Sequence, residues 1–219
     1  MAAMPDPRAQ PHQAGERQPA LTSDAARNHL GLAMLRHLAQ GQPLELDTLA
    51  CDTRRPVDEI RSELQRHGDI EYDQAGRIVG NGITLRPTPH RFEIDGRELY
   101  TWCALDTLVF PAMLGVSARV ESPCHATGQP IRVDVEPDRI RRVQPASAVV
   151  SIVPRPQSAS IRASFCNHIH FFADADAAQP WLAEHPDASI VPVTDAQKQG
   201  RELIESLPAI GASCSDDCC

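Results

Sequence analysis

Two cysteines and one aspartate carry the chemistry most readily read from this chain. In Trp102-Cys103-Ala104-Leu105-Asp106 a thiol and a carboxyl stand three residues apart, a spacing that puts both on one face of a helix. The surrounding run, Glu98 to Gly115, is almost continuously apolar, and a charge buried there is costly unless it is paired, liganded or neutralised by a proton. Asp106 therefore either faces water or caps a backbone group, or it works as an acid. Beside a thiolate and partly desolvated, a carboxyl has its pKa raised, so it can hold a proton near neutrality and deliver it. Thiolates select soft metal ions, so a soft metal bonded to carbon would engage both groups at once.

A second cluster lies in Phe165-Cys166-Asn167-His168-Ile169-His170-Phe171-Phe172. Read as a strand, it places Cys166, His168 and His170 on one face, as a row of ligands. A tetrahedral zinc site does not follow, because the second cysteine of a CxxC pair is missing. The histidines are read as core or surface residues without a catalytic role. Cysteines also stand at 51, 124, 214, 218 and 219, making seven in all. An odd count without regular spacing argues against a disulfide scaffold and for thiols kept reduced, buried or reactive in the cytoplasm. Cys51 is assigned no role.

The elements that must position these groups fall into two units. Residues 1–20 have no hydrophobic period and are expected to form a disordered arm. Leu30, Met34, Leu35 and Leu38 recur at helical spacing after Thr22 or Ser23, with Gly41 as a stop. A short helix is expected around Leu46 and Leu49. A third opens at Pro56 and ends at Gly68. Ile70, Tyr72, a DQAG turn, Ile78 and Val79 then read as a two-stranded ribbon. Three helices and a ribbon over 21–85 suggest a winged helix. Arg54, Arg55, Arg61 and Arg66 are offset there by Asp52, Asp58, Glu59 and Glu63, so the basic face of a DNA reader is missing.

The proline-containing segment RPTPHRFEIDG leads into a second unit over 86–211. It begins with a buried helix across Glu98 to Gly115, bent or broken at Pro111. ARVES, IRVDVE, AVVSIV and NHIHFF follow as antiparallel strands, then a helix around Trp181, a strand SIVPV and a helix opened by Thr194 and Asp195. The fold class is α+β. The net charge of -8 opposes phosphate backbones and anionic membranes. No stretch reaches the roughly 20 apolar residues of a membrane helix, and the polar start of the chain carries no apolar secretion signal. Neither nucleic acid nor membrane is expected as a partner.

LYTWCALDTLVFPAMLG, SPCHATG and SFCNHIHFF, in that order and spacing, closely resemble the alkylmercury (organomercurial) lyases of bacterial mercury resistance. The resemblance spans most of the chain. It implies a winged-helix-like N-terminal part without a DNA-binding role, followed by an α+β catalytic part of its own type. Carried over, it makes Cys103 the thiol that first takes the mercury of R–Hg⁺ and Cys166 the second thiolate. Asp106 becomes the proton shuttle, and all three would contact the product Hg²⁺. Cys124 matches a family cysteine that looks structural. No cofactor is implied, and low-molecular-weight thiols or the cysteines of a mercuric reductase would strip the product away.

The ending Cys214-Ser-Asp-Asp-Cys218-Cys219 departs from that pattern. Residues 212–219 form either a drifted extension or a flexible relay that collects Hg²⁺ from the site. Two other readings compete with a lyase. A thiol-based metal sensor would need a basic recognition helix with cysteines beside it. A non-catalytic carrier of mercury or another soft metal would have no need of Asp106.

Overall fold

The computed structural model describes residues 23–154 and 160–205. The arm over 1–20 and the tail over 212–219 lie outside the described residues. Helix α1 (Ser23–Leu38) buries Leu30, Met34, Leu35 and Leu38 along one stripe, the face that their spacing predicts. Helix α2 (Leu46–Thr53) stops where Arg54 turns left-handed, at φ 53°. Helix α3 (Val57–His67) starts after Pro56, buries Ile60 and Leu64, and ends at Gly68 with φ 70°. The Arg55 guanidinium is occupied by Glu59 at 2.8 Å and Glu63 at 2.5 Å, so it adds no positive charge to a would-be reading face.

The ribbon consists of β1 (Glu71–Tyr72) and β2 (Ile78–Asn81). The Asp73 carboxylate accepts the backbone N–H groups of Ala75 and Arg77, both at 2.9 Å, and so closes the turn between them. The ribbon is not a free wing. Strand β3 (Ile83–Thr84) pairs with β2 on one side and with β5 (Arg97–Thr101) on the other. Beyond β5 come β4 (His90–Ile94), β6 (Ala118–Pro123), β7 (Pro130–Val135) and β8 (Ile140–Gln144). One eight-stranded antiparallel sheet, in the order β1-β2-β3-β5-β4-β6-β7-β8, thus runs from the ribbon through the second unit.

Two expectations need correction here. The helix expected from Glu98 begins only at Ala104, because Glu98–Thr101 belongs to β5. Strands β4 and β5 form a hairpin around Asp95 and Gly96, whose φ values of 50° and 75° are those a tight Asp-Gly turn demands. The segment RPTPHRFEIDG is accordingly more than a connection, since it carries β4. Helix α4 (Ala104–Leu114) also runs through Pro111 without breaking. That proline lies near the C-terminal end, so the missing N–H disturbs a single late turn, which packing against neighbouring elements holds in place.

A second sheet, ordered β10-β9-β11, is built from β9 (Val149–Ile152), β10 (Phe171–Phe172) and β11 (Ser189–Pro192). Short α5 (Ile161–Ser164) precedes β10, α6 (Ala175–Glu184) follows it, and α7 (Val193–Glu205) closes the described chain. The fold is α+β, as the alternating strands implied. Buried side chains from Leu30 to Ala196 form one continuous core across both units.

Helix α7 packs on α4 through Gly200, where a Cβ would stand 2.2 Å from Val109 Cγ1. Overpacking of this kind costs about 1–3 kcal/mol, against a gain of up to about 1 kcal/mol from alanine's helix propensity. Gly200→Ala should therefore lower the urea midpoint, with a net loss of about 1–2 kcal/mol at unchanged m-value. A midpoint at or above that of the native chain would show that the two helices do not meet this closely.

Candidate active site

Cys103 stands at the junction of the first sheet with α4. Its backbone is still extended, at φ −148° and ψ 169°, and its sulfur caps the helix by accepting the Asp106 N–H at 3.4 Å. The two residues are thus not on successive turns of one helix, as their spacing suggested. The thiol lies just before the helix and the carboxyl in its first turn, which brings them together equally well. Thr101 Oγ1 donates to the Cys103 carbonyl at 3.0 Å and steadies the junction.

Cys166 arrives from the segment between α5 and β10 of the other sheet. The expected strand through Cys166, His168 and His170 is a 3₁₀ turn over Cys166–His168, and only Phe171–Phe172 joins a sheet. Local bonds account for the change: His168 N–H donates to Phe165 O at 2.9 Å and Ile169 N–H to Cys166 O at 3.1 Å. The row of ligands is therefore broken. His170 stacks on His125 at 3.8 Å, and His168 lies 5.7 Å from His185. Burial pushes His170 down to about 3, so it packs as a neutral ring. The turn is tied to the helix start by Ala104 N–H, which donates to Ile169 O at 3.2 Å.

These two routes bring Cys103 Sγ, a carboxylate oxygen of Asp106 and Cys166 Sγ within 4.8 Å of one another. Cys103 is 0% exposed and Cys166 6%. Asp106 is half-buried as a residue, yet its Oδ2 is buried and has no hydrogen-bond partner. Burial raises the Cys103 thiol well above its ordinary range, helped by the Cys166 thiol and the Asp106 charge. The Asp106 carboxyl is pushed up to about 7, again chiefly by burial. Hydrogen bonds from Cys103 and the Arg162 charge hold it from rising further. Near neutrality, then, the site contains a protonated thiol beside a carboxyl that can be found in either form, a combination suited to proton relay.

Arg162 and Glu71 were not picked out by the sequence reading. Glu71 Oε1 accepts Trp102 Nε1 at 3.0 Å and is bonded to the Arg162 guanidinium, while its Oε2 accepts Thr84 Oγ1 at 2.5 Å. The guanidinium carbon lies 4.7 Å over the Trp102 ring, within cation–π range. Gly80 leaves room for this carboxylate, since a Cβ there would be 2.5 Å from Glu71 Oε2. Because Glu71 and Arg162 stand 91 positions apart, no local pattern could reveal the pair.

Cys124 is outside the three-residue cluster. It is buried after β6, where its sulfur accepts Ala173 N–H at 3.3 Å. Cys51 is exposed on α2. Cys214, Cys218 and Cys219 lie outside the described residues. Among the described residues no helix is long and apolar enough to cross a membrane.

The sequence matches two family models end to end: the helix-turn-helix domain of alkylmercury lyase over residues 18–82, and alkylmercury lyase over 83–205. An alkylmercury lyase of Streptomyces lividans is 54% identical over 183 residues, covering 84% of this chain and 85% of that protein. One from Staphylococcus epidermidis is 50% identical, covering 83% and 86%, and one from Pseudomonas putida is 44% identical, covering 81% and 84%. The crystal structure of the mercury-bound form of MerB2 superposes with a TM-score of 0.70 at 26% identity, over 85% of this chain and all of that one.

A carboxyl with its pKa raised on folding destabilises the protein as pH rises from its unfolded value near 4 towards about 7, because over that range the folded state binds the extra proton. Asp106→Asn should therefore be more stable than the native chain at pH 8, by a few kcal/mol at most. More than half of that advantage should vanish at pH 5, as read by thermal unfolding. An advantage independent of pH would mean that Asp106 keeps an ordinary carboxylate pKa.

Proposed function

The chain belongs to the alkylmercury lyase family, and from that premise we propose that it protonolyses the carbon–mercury bond of R–Hg⁺ with Cys103, Asp106 and Cys166. The reading rests above all on the buried cluster in which two sulfurs and a carboxylate oxygen lie within 4.8 Å. Cys103 attacks the mercury first, its thiol proton passing to the Asp106 carboxylate. Cys166 adds as the second sulfur and gives up its own proton. Two thiolates donate charge to mercury and make the attached carbon more basic, so the protonated Asp106 can deliver its proton there. Overall R–Hg⁺ and two thiols give RH, a bis-thiolate mercury(II) and one released proton.

Burial supports this division of labour. Asp106 Oδ2, buried without a partner, is free to meet the departing carbon or the metal. A protein that only carried soft metal would have no use for the penalty of burying that carboxyl. The substrate brings the metal, and no resident cofactor enters any step. The product sits between two sulfurs and leaves by exchange with accessible thiolates, either low-molecular-weight thiols or the cysteines of a mercuric reductase. Cys214, Cys218 and Cys219 would act as the first acceptors in that exchange, and Cys124 serves packing.

Headspace gas chromatography with phenylmercury or methylmercury and excess thiol tests the chemistry. Benzene or methane should form catalytically in the native protein and be abolished by Cys103→Ser. Asp106→Ala should slow release by about 10²–10⁴-fold, the range for loss of a general acid. Mercury binding without hydrocarbon from the native protein would reduce it to a carrier. Truncation after Gly211 should slow multiple turnover at low external thiol and leave a single turnover unchanged; equal multiple-turnover rates would remove the relay.

A further inference from the structure

We propose that Asp69, in the N-terminal unit, is a positioning residue for the reaction: it clamps the turn that carries Cys166. The inference rests on reading Cys166 as the second thiolate. Helix α5 is a single turn of four residues, far shorter than the length at which a helix holds itself in water. Its free N–H groups need an acceptor. Asp69 Oδ2 accepts Ile161 N–H at 2.6 Å and Arg162 N–H at 3.4 Å, and Oδ1 accepts Ser160 Oγ–H at 2.8 Å. The Ser160 hydroxyl in turn accepts Ala163 N–H at 3.1 Å. One carboxylate thus organises the whole turn across more than 90 residues of sequence, and its charge suits a helix start.

The turn leads straight into the site. Phe165 N–H closes on Ile161 O at 2.8 Å, and Cys166 is the next residue. Two residues after Asp69, Glu71 holds the Arg162 side chain, so one short stretch grips both the backbone and the side chain of the same residue. Asp69 itself touches neither sulfur nor carboxyl. Its effect is on where Cys166 is held, and capture by two sulfurs depends on the second being pre-placed beside the first. Through Asp69 the N-terminal unit therefore contributes to where the second thiolate is held.

The experiment compares Asp69→Asn, Asp69→Ala and Cys166→Ser. Each is made in the full-length chain carrying Cys51→Ser, Cys214→Ser, Cys218→Ser and Cys219→Ser, which removes competing thiols. Two quantities are read: kcat for benzene from phenylmercury, and the dithiothreitol concentration that strips Hg²⁺ from the loaded protein, followed by thiolate-to-mercury absorption. Asp69→Ala should lower both by about tenfold, the equivalent of one charge-assisted hydrogen bond. Asp69→Asn, which keeps one carbonyl oxygen for the turn, should fall between. Binding of one equivalent of phenylmercury through Cys103 should not change.

If Asp69→Ala does not fold, Asp69→Asn decides the matter: losses in both quantities at an unchanged melting temperature support the clamp. A lowered melting temperature with unaltered kcat and Hg²⁺ retention would make Asp69 a stability residue only and overturn the proposal. Normal kcat and retention in Cys166→Ser would instead sink the two-thiolate reading itself, and the clamp with it, whatever Asp69 does.

Discussion

Holding the Asp106 carboxyl out of water beside two thiols opposes folding, and the packing around it must offset that penalty. The Oδ2 atom has no partner, a condition uncommon in buried polar groups and informative where it occurs. The surroundings limit the penalty without removing it. Hydrogen bonds from Cys103 reach the carboxyl, and the Arg162 charge lies close enough to oppose the rise in pKa. Arg162 is itself fixed by Glu71 and the Trp102 ring, so its charge is tethered near the carboxyl. The balance leaves a group near neutrality that a better-satisfied site would have kept as a plain carboxylate.

The same requirement explains how the two units are joined. The winged-helix-like unit is built into the catalytic part and does not stand beside it as an appendage. Here its ribbon extends the main sheet through β3 and β5, and Asp69 and Glu71 at the base of the ribbon reach α5 and Trp102. The helices supply a shared core on one side. The division that the sequence suggests near residue 85 thus runs through a continuous hydrogen-bonded sheet.

What could be read beforehand follows the range of the physics. Local signals worked for α1, α2 and α3 and for the ribbon, where hydrophobic period and turn residues agree. They failed across Glu98–Thr101, where apolar residues next to a true helix hid a strand. The Asp-Gly pair that forces the hairpin was present but unweighted. Cys103 and Asp106 were visible because they are neighbours in an apolar stretch. Cys166 needed family likeness to join them, since 63 residues separate it from Cys103. Asp69, Glu71 and Arg162 were invisible for the same reason: long-range hydrogen bonds leave no periodicity.

The burial of Cys103, Cys124 and Cys166 also bears on how the chain survives its own substrate. In an unfolded copy every thiol is open to a soft metal, and a ligand that binds the unfolded ensemble pulls the equilibrium away from the native state. The paired sulfurs exist only after contacts distant in sequence have closed, which is the slow part of folding for a sheet-rich topology. A newly made molecule is therefore more vulnerable to the poison than a mature one. For such a protein, the speed at which folding hides the cysteines matters alongside the speed of turnover.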